Sequence, residues 1–181
     1  MENVLAGVPQ GTLTGPVAFL AHINDLKTVC PTVKYVDDST NWETCSCTGT
    51  DSKLQLAADQ ASEWTKANNM MLNTDKTKSM EIYFGKDPPK TKTIEIDNSK
   101  IESVKVFKLL GIIVNDKLTW HDHVDFICSK ASRRIYFLIL LKRANKPTAD
   151  LLDVYCAAIS SVLEYACELW HSGLTCEMND K

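Results

Sequence analysis

The sequence predicts an α+β fold, and three features carry that prediction. A β-branched and aromatic run, Thr32-Val33-Lys34-Tyr35-Val36, is followed at once by turn-forming residues. Several short strand-like runs crowd into residues 80–114. Two long helical stripes then fill the last third, with apolar side chains recurring every three or four residues.

Taken in order, residues 1–11 hold Gly7, Pro9 and Gly11 and read as a loop. Gly15-Pro16 permits a helix start, because proline in a first turn loses no hydrogen bond; apolar residues 17–23 carry that helix to about Lys27. Residues 32–36 form a strand, Asp37-Asp38-Ser39-Thr40 a turn, and residues 41–44 the returning strand. The result is a β-hairpin with two carboxylates at its tip. Asp51-Ser52 suits a helix cap, and Leu54, Ala57, Ala61, Trp64, Ala67 and Met71 follow at helical spacing. Residues 80–84 read as a strand that Asp87-Pro88-Pro89 breaks. Two short strands are expected near residues 93–96 and 103–107, and a third over 109–114. Val124, Ile127, Ala131, Ile135, Leu138 and Leu141 make the first helical stripe, which Asn145-Lys146-Pro147 stops. Leu152, Tyr155, Ile159, Val162, Ala166 and Leu169 make the second. Such stripes normally mark packing faces rather than cofactor boxes.

A chain of 181 residues is long enough to bury a real core, and 44% hydrophobic with 24% charged residues is ordinary for a globular protein. No apolar run reaches the roughly 18 residues of a membrane span. The start, MENVLAGVPQG, lacks the basic-then-apolar order of a signal peptide, so the seven cysteines are expected to stay reduced. Cys45-Ser46-Cys47 is too tight for a usual zinc knuckle, and no second pair stands at a useful distance.

The net charge of −3 argues against nucleic acid at first sight, but its distribution says more. Residues 37–63 hold six acids and one lysine, residues 76–108 eight lysines and five acids, and residues 130–146 six basic residues and no acid. An acidic centre between basic flanks suits a divalent metal in one place and phosphates in another. Solvated helix faces would produce the same pattern.

An adjacent Asp-Asp pair on a tight turn sets two like charges side by side, which a bound divalent cation resolves. Magnesium prefers carboxylate oxygens combined with substrate phosphates. A solvated turn is the plainer alternative, since Asp is common in turns. Before the hairpin stands Gly7-Val8-Pro9-Gln10-Gly11-Thr12, where glycines let backbone approach a ligand and the Gln10 amide both donates and accepts. A helix opening just after it would aim free N–H groups at phosphate.

In series, Gly-Val-Pro-Gln-Gly-Thr, Gly15-Pro16, Ile23-Asn24-Asp25-Leu26 and Tyr35-Val36-Asp37-Asp38 resemble the reverse transcriptases of non-LTR retrotransposons. So do Leu72-Asn73 with Lys76-Thr77-Lys78, and Phe107-Lys108-Leu109-Leu110-Gly111-Ile112 with Leu118-Thr119-Trp120 and His123. Leu163-Glu164-Tyr165-Ala166 with Trp170-His171 looks like that family's downstream helical region. The order of these motifs is more specific than any one of them.

The resemblance implies a partial polymerase palm over residues 1–114, with a β-hairpin and antiparallel strands against packed helices, and a helical thumb over 115–181. It implies that Asp37 binds magnesium with Asp38 as companion, and that Gln10 and Gly11 shape the pocket for the incoming nucleotide and templating base. Lys76 would sit near the triphosphate as a catalytic residue; a solvated turn lysine is the competing reading. Phe107, Leu110 and Gly111 would belong to the primer grip, although residues 109–112 also look like core strand. Lys130, Arg133, Arg134, Lys142 and Arg143 would track the template–primer backbone. His121-Asp122-His123 is expected to start the thumb helix rather than bind metal. The implied partners are an RNA template, a DNA primer and a deoxynucleoside triphosphate, inside the cell, in nucleus or cytoplasm, with no membrane.

Two-metal phosphoryl transfer needs carboxylates from more than one segment. In the family a second aspartate stands upstream of the Pro-Gln-Gly loop, and nothing before Gly7 matches it; Asp25 occupies a helix-end position instead. The expectation is therefore a truncated chain with an incomplete magnesium site, inactive alone, with an open sheet edge available for association. The alternatives are a non-catalytic nucleic-acid-binding remnant and a pseudogene product.

Overall fold

The structure is a computed structural model in which residues 14–44, 52–85 and 93–180 are described. Helix takes 48% and strand 16% of them, so the class is α+β as expected. They divide into two compact units, one from residues 14–79 and 93–103, the other from 80–85 and 104–180. No sheet among the described residues exceeds two strands.

In the first unit, α1 spans Thr14–Ile23. It ends earlier than Lys27 because Lys34 takes over its last carbonyls, with Nζ donating to Ile23 O at 2.8 Å and Asn24 O at 3.0 Å. β1 (Thr32–Tyr35) pairs antiparallel with β2 (Asp38–Asn41), Tyr35 lying opposite Asp38. The loop is therefore only Val36 and Asp37, and the four-residue turn expected over 37–40 is corrected. Two-residue loops match the twist of the flanking strands, and Thr40 can then pair with Val33. α2 covers Leu54–Ala67 and buries Ala57, Ser62 and Thr65. Glu43 reaches its N-terminus, accepting from Ser52 Oγ at 2.5 Å and Lys53 N at 2.8 Å. α2 stops four residues short of Met71 because Asn69 turns left-handed (φ 54°). The amides of Asn69 and Met70 then close back on Lys66 O and Thr65 O, a left-handed helix cap.

β3 (Lys78–Ser79) runs parallel to β6 (Glu102–Ser103), and Lys78 bonds Glu102 at 2.7 Å. Residues 80–84 are not a strand as expected; they follow another course, in the second unit. β4 (Glu95–Ile96) and β5 (Ser99–Lys100) form a hairpin around Asp97 and Asn98, both at positive φ. Asp and Asn tolerate that conformation better than other non-glycine residues. Gln55 ties this hairpin to α2 by two bonds to the Glu95 backbone, of 2.7 and 2.9 Å.

The second unit opens with the hairpin β7 (Val106–Leu109) and β8 (Ile112–Asn115), turning at Leu110 and Gly111. Buried Asn115 organises the next turn: Nδ2 donates to Thr119 Oγ1 at 2.8 Å and Asp122 Oδ2 at 2.9 Å. Its Oδ1 accepts from Lys117 N at 3.3 Å and Thr119 N at 2.8 Å. α3 then runs from His121 to Arg143. It ends as expected before Pro147, with left-handed Asn145 and the amides of Asn145 and Lys146 bonded to Lys142 O and Leu141 O. α4 (Thr148–Val154) widens into a π-helical stretch over Tyr155–Ser160 and resumes as α5 (Ser161–Leu163).

The expected second stripe is broken by Ala166, which is left-handed (φ 50°) at the N-cap of α6 (Cys167–Trp170). The break turns Trp170 inward, 5% exposed, and leaves Leu169 63% exposed. A short 3-10 turn, His171–Gly173, leads to α7 (Cys176–Asn179). Ile127, Val162 and Trp170 form the centre of the core, with Trp120, Phe126 and Leu163 packed around them.

Candidate functional site

The carboxylate turn is built by the first hairpin. At its base, Thr28 Oγ1, Thr32 Oγ1 and Asn41 Oδ1 meet at 2.6–3.1 Å, and Trp42 N reaches Pro31 O at 3.2 Å. Midway, the Lys34 ammonium fastens β1 to the negative end of α1. At the tip, Val36 is left-handed (φ 54°), an unusual place for a β-branched residue that costs on the order of 1–3 kcal/mol. Asp37 closes the loop, Asp38 opens β2, and both are exposed.

Among the described residues no group of three or more His, Cys, Asp or Glu side chains is placed to hold a metal ion. The turn thus offers two adjacent carboxylates and no third ligand. Their chemistry fits part of the oxygen shell of a hard divalent cation, the rest of which water and phosphate oxygens ordinarily supply. Asp25 is engaged elsewhere, accepting from Trp64 Nε1 at 3.1 Å. Lys76 lies exposed in a turn that Asn73 closes, with Asn73 Oδ1 accepting from Lys76 N at 3.1 Å; among the described residues no ion pair joins it to Asp37 or Asp38. Gln10 and Gly11, like Cys45 and Cys47, lie outside the described residues.

The second hairpin carries Phe107, Leu110 and Gly111. Leu110 (φ 47°) and Gly111 (φ 91°) are both at positive φ, the signature of a tight two-residue hairpin loop. Tyr165 holds this tip, its hydroxyl donating to Leu110 O at 3.0 Å. The ring also lies where a Gly111 side chain would go, since an added Cβ would meet Tyr165 Cε1 at 3.3 Å. Sequence reasoning placed Tyr165 only within a helical motif. No local signal links it to a loop 55 residues earlier. Behind the hairpin, His123 Nδ1 accepts from Ile113 N at 3.3 Å, while Nε2 is buried without a hydrogen-bond partner. Burial holds this imidazole below its usual titration range. His123 sits edge-on to Trp170 at 5.4 Å, so it anchors α3 as a packed side chain.

Lys108 Nζ lies 4.8 Å and Lys130 Nζ 5.8 Å from the centre of the Phe126 ring. A cavity of about 230 Å³ beside the hairpin tip is lined by these three residues together with Tyr165 and His123. The basic residues of α3 divide by role. Arg134 is half-buried, and its Nη1 donates to Ala158 O, a carbonyl within the π-helical stretch. Arg133, Lys142 and Arg143 are exposed, and Arg133 Nη2 donates to Ser129 Oγ at 3.3 Å. The sequence placed Lys108 only within the Phe107–Gly111 motif, because its position beside Lys130 depends on how the hairpin meets α3.

No family model matches the chain, and no solved structure does. Three curated proteins of Drosophila melanogaster do. A probable RNA-directed DNA polymerase from transposon X-element is 24% identical over 99% of this chain and 20% of its own length. The RNA-directed DNA polymerase from mobile element jockey is 25% identical over 70% of this chain and 15% of its own. A probable RNA-directed DNA polymerase from transposon BS is 23% identical over 91% of this chain and 20% of its own. The chain spans about a fifth or less of the length of these relatives. The likeness read from the motifs thus holds along nearly the whole chain, which is similar to the reverse transcriptases of non-LTR retrotransposons.

Proposed function

We propose that this chain is part of an RNA-directed DNA polymerase, contributing its carboxylate turn, primer-holding hairpin and thumb helices. The hairpin tip carries this reading: two exposed, adjacent carboxylates on a loop strained at Val36, at the Tyr-Val-Asp-Asp position of the resemblance. Asp37 and Asp38 would hold magnesium, which when bound would neutralise charge on the transferred phosphates. Gln10 and Gly11 would shape the nucleotide pocket, and Lys76 would approach the triphosphate. The partial palm ends at about residue 114 and the thumb follows. Phe107, Leu110 and Gly111 position the primer end, the tip being fixed from behind by Tyr165. Lys130, Arg133, Lys142 and Arg143 run along the backbone of an RNA–DNA duplex, while Arg134 spends one nitrogen on Ala158 O and holds the helices together.

We further propose that the 181 residues alone extend no primer, because two-metal transfer needs carboxylates from more than one segment to face this turn. Two measurements test the proposal. Primer extension on an RNA template in magnesium is expected to be absent; incorporation that Asp37→Asn abolishes would overturn the inactivity. Manganese should broaden the amide resonances of residues 36–39 selectively, and Asp37→Asn with Asp38→Asn should remove the effect; broadening that ignores the substitutions would overturn the metal role.

A second reading, a non-catalytic nucleic-acid-binding module, is favoured by the outward face of α3. It expects salt-sensitive duplex binding that survives Asp37→Asn and weakens with Arg133→Gln.

A further inference from the structure

The first part of α3 buries His123, Val124, Ile127 and Ala131. Its second part presents a different stripe. Arg133, Tyr136, Phe137, Leu140 and Arg143 follow at spacings of three, one, three and three, which sets them on one face over about 15 Å of helix. All five are exposed, Tyr136 at 59% and Phe137 at 62%. The two rings meet edge to face, with centroids 6.0 Å apart and planes at 70°. Residues 126–149 hold six basic side chains and no acidic one.

Exposed aromatic rings between arginines, on a stretch of helix with no acid of its own, call for a partner that is both anionic and π-rich. A membrane surface or an acidic peptide meets the charge but supplies no flat rings. A closed duplex keeps its base faces inside the stack, so two rings standing off a helix find only groove edges there. An unpaired strand offers phosphates and base faces together, and stacking on aromatic side chains is how sequence-tolerant single-strand binders work.

We propose that this face binds single-stranded nucleic acid, with Tyr136 and Phe137 stacking on unpaired bases and Arg133 and Arg143 contacting the flanking phosphates. The proposal rests on the nucleic-acid reading above and refines it: Arg133 and Arg143 contact phosphates of either form, and the two rings add a preference for an unpaired strand over the duplex.

Fluorescence anisotropy tests it, using the whole chain with a labelled oligothymidylate, the matching DNA duplex and an RNA–DNA hybrid. Tyr136→Ala with Phe137→Ala should weaken single-strand binding about tenfold to a hundredfold, the loss of one or two stacked bases, and change duplex binding less than about twofold. Tyr136→Trp with Phe137→Trp should restore it. Arg133→Gln with Arg143→Gln should weaken every nucleic acid and flatten the salt dependence. Because the substituted side chains are exposed, helix content by circular dichroism should not move.

Single-strand affinity indifferent to the alanine pair overturns the proposal. So does equal, ring-dependent binding of phosphatidylserine vesicles or polyglutamate, which would assign the face to a membrane or an acidic peptide. The manganese test reads the carboxylate turn and the alanine pair reads α3, so failure here concerns this face and failure of the manganese test concerns the polymerase reading.

Discussion

Replacing Gly111 by alanine should loosen the tip of the second hairpin by about 1–2 kcal/mol. Gly111 sits at φ 91°, where an L side chain costs roughly 1–2 kcal/mol. Alanine recovers about 0.4–1 kcal/mol by restricting the unfolded chain. The new Cβ would also stand 3.3 Å from Tyr165 Cε1, tighter than ordinary contact, so the ring must move by a few tenths of an ångström. That ring donates the bond to Leu110 O, whose net worth is about 0.5–1.5 kcal/mol. The ring term and the backbone term separate in a double-mutant cycle. In a Tyr165→Ala background the ring conflict is gone, and Gly111→Ala should cost less by about 0.5 kcal/mol. Amide hydrogen exchange across the β7–β8 ladder reads the local loss directly, and urea unfolding reads the global one. Equal costs in both backgrounds, to within about 0.3 kcal/mol, would dismiss the Tyr165 contact. No cost in either background would dismiss the positive φ itself.

Asn115→Ala should destabilise the second unit by about 2–4 kcal/mol in urea unfolding, since it removes four hydrogen bonds around one buried amide. Asn115→Asp keeps the accepting oxygen but sets a carboxylate against Asp122, so it should cost at least as much and be relieved by Asp122→Asn. For His123, burial lowers the folded titration below that of the unfolded chain. The unfolded state therefore takes up a proton first, and stability that is full above about pH 6.5 should fall as the pH drops toward the folded value. His123→Phe should remove this component of the acid sensitivity in thermal melts; an unchanged profile would mean that other groups cause it.

Helices and their stops were legible wherever residue chemistry and backbone conformation coincide. Asn145 before Pro147 ended α3 as expected, because asparagine tolerates a left-handed residue and proline follows a helix end readily. The same logic was available at Asn69, but the apolar spacing continued to Met71 and outweighed it; Met71 is 95% exposed. Likewise the spacing through Leu169 ran across a left-handed Ala166, which periodicity does not reveal. The strand expected over residues 80–84 shows the same limit from the other side. Alternating hydrophobicity marks a segment that can pair, but pairing needs a free edge in the right place. Here Tyr83 instead receives contacts from the end of β8, with its amide on Asp116 O at 3.2 Å and its carbonyl on Lys117 Nζ at 2.7 Å. At the site, the Asp37-Asp38 pair was legible as chemistry. The contacts of Tyr165, Asn115 and Lys108 were not, because they arise only from tertiary packing.

The three tight hairpin loops differ in a way that bears on function. The β4–β5 loop uses Asp97 and Asn98, residue types that accept positive φ at little cost. The other two place Val36 and Leu110 there, bulky apolar residues for which the same conformation is unfavourable. Neither strained residue is buried, with Val36 43% and Leu110 40% exposed, so core packing does not compensate for the choice. Each hairpin is tied to another element, the first along its strand and the second at its tip. Lys34 fastens the first hairpin to α1, and the Tyr165 hydroxyl fastens the second from beyond α5. Local propensity is thus overruled at two tips and obeyed at the third. The two are the loops that carry the Asp-Asp pair and the Leu-Gly turn, the segments singled out for a metal and a primer end. Backbone strain held by external ties is the arrangement expected where a loop must present groups in a fixed geometry rather than merely reverse the chain. Leu118 and Ala166 take the same left-handed conformation away from these tips, so strain accompanies the two loops without singling them out, and the roles proposed for them rest on the motifs they carry.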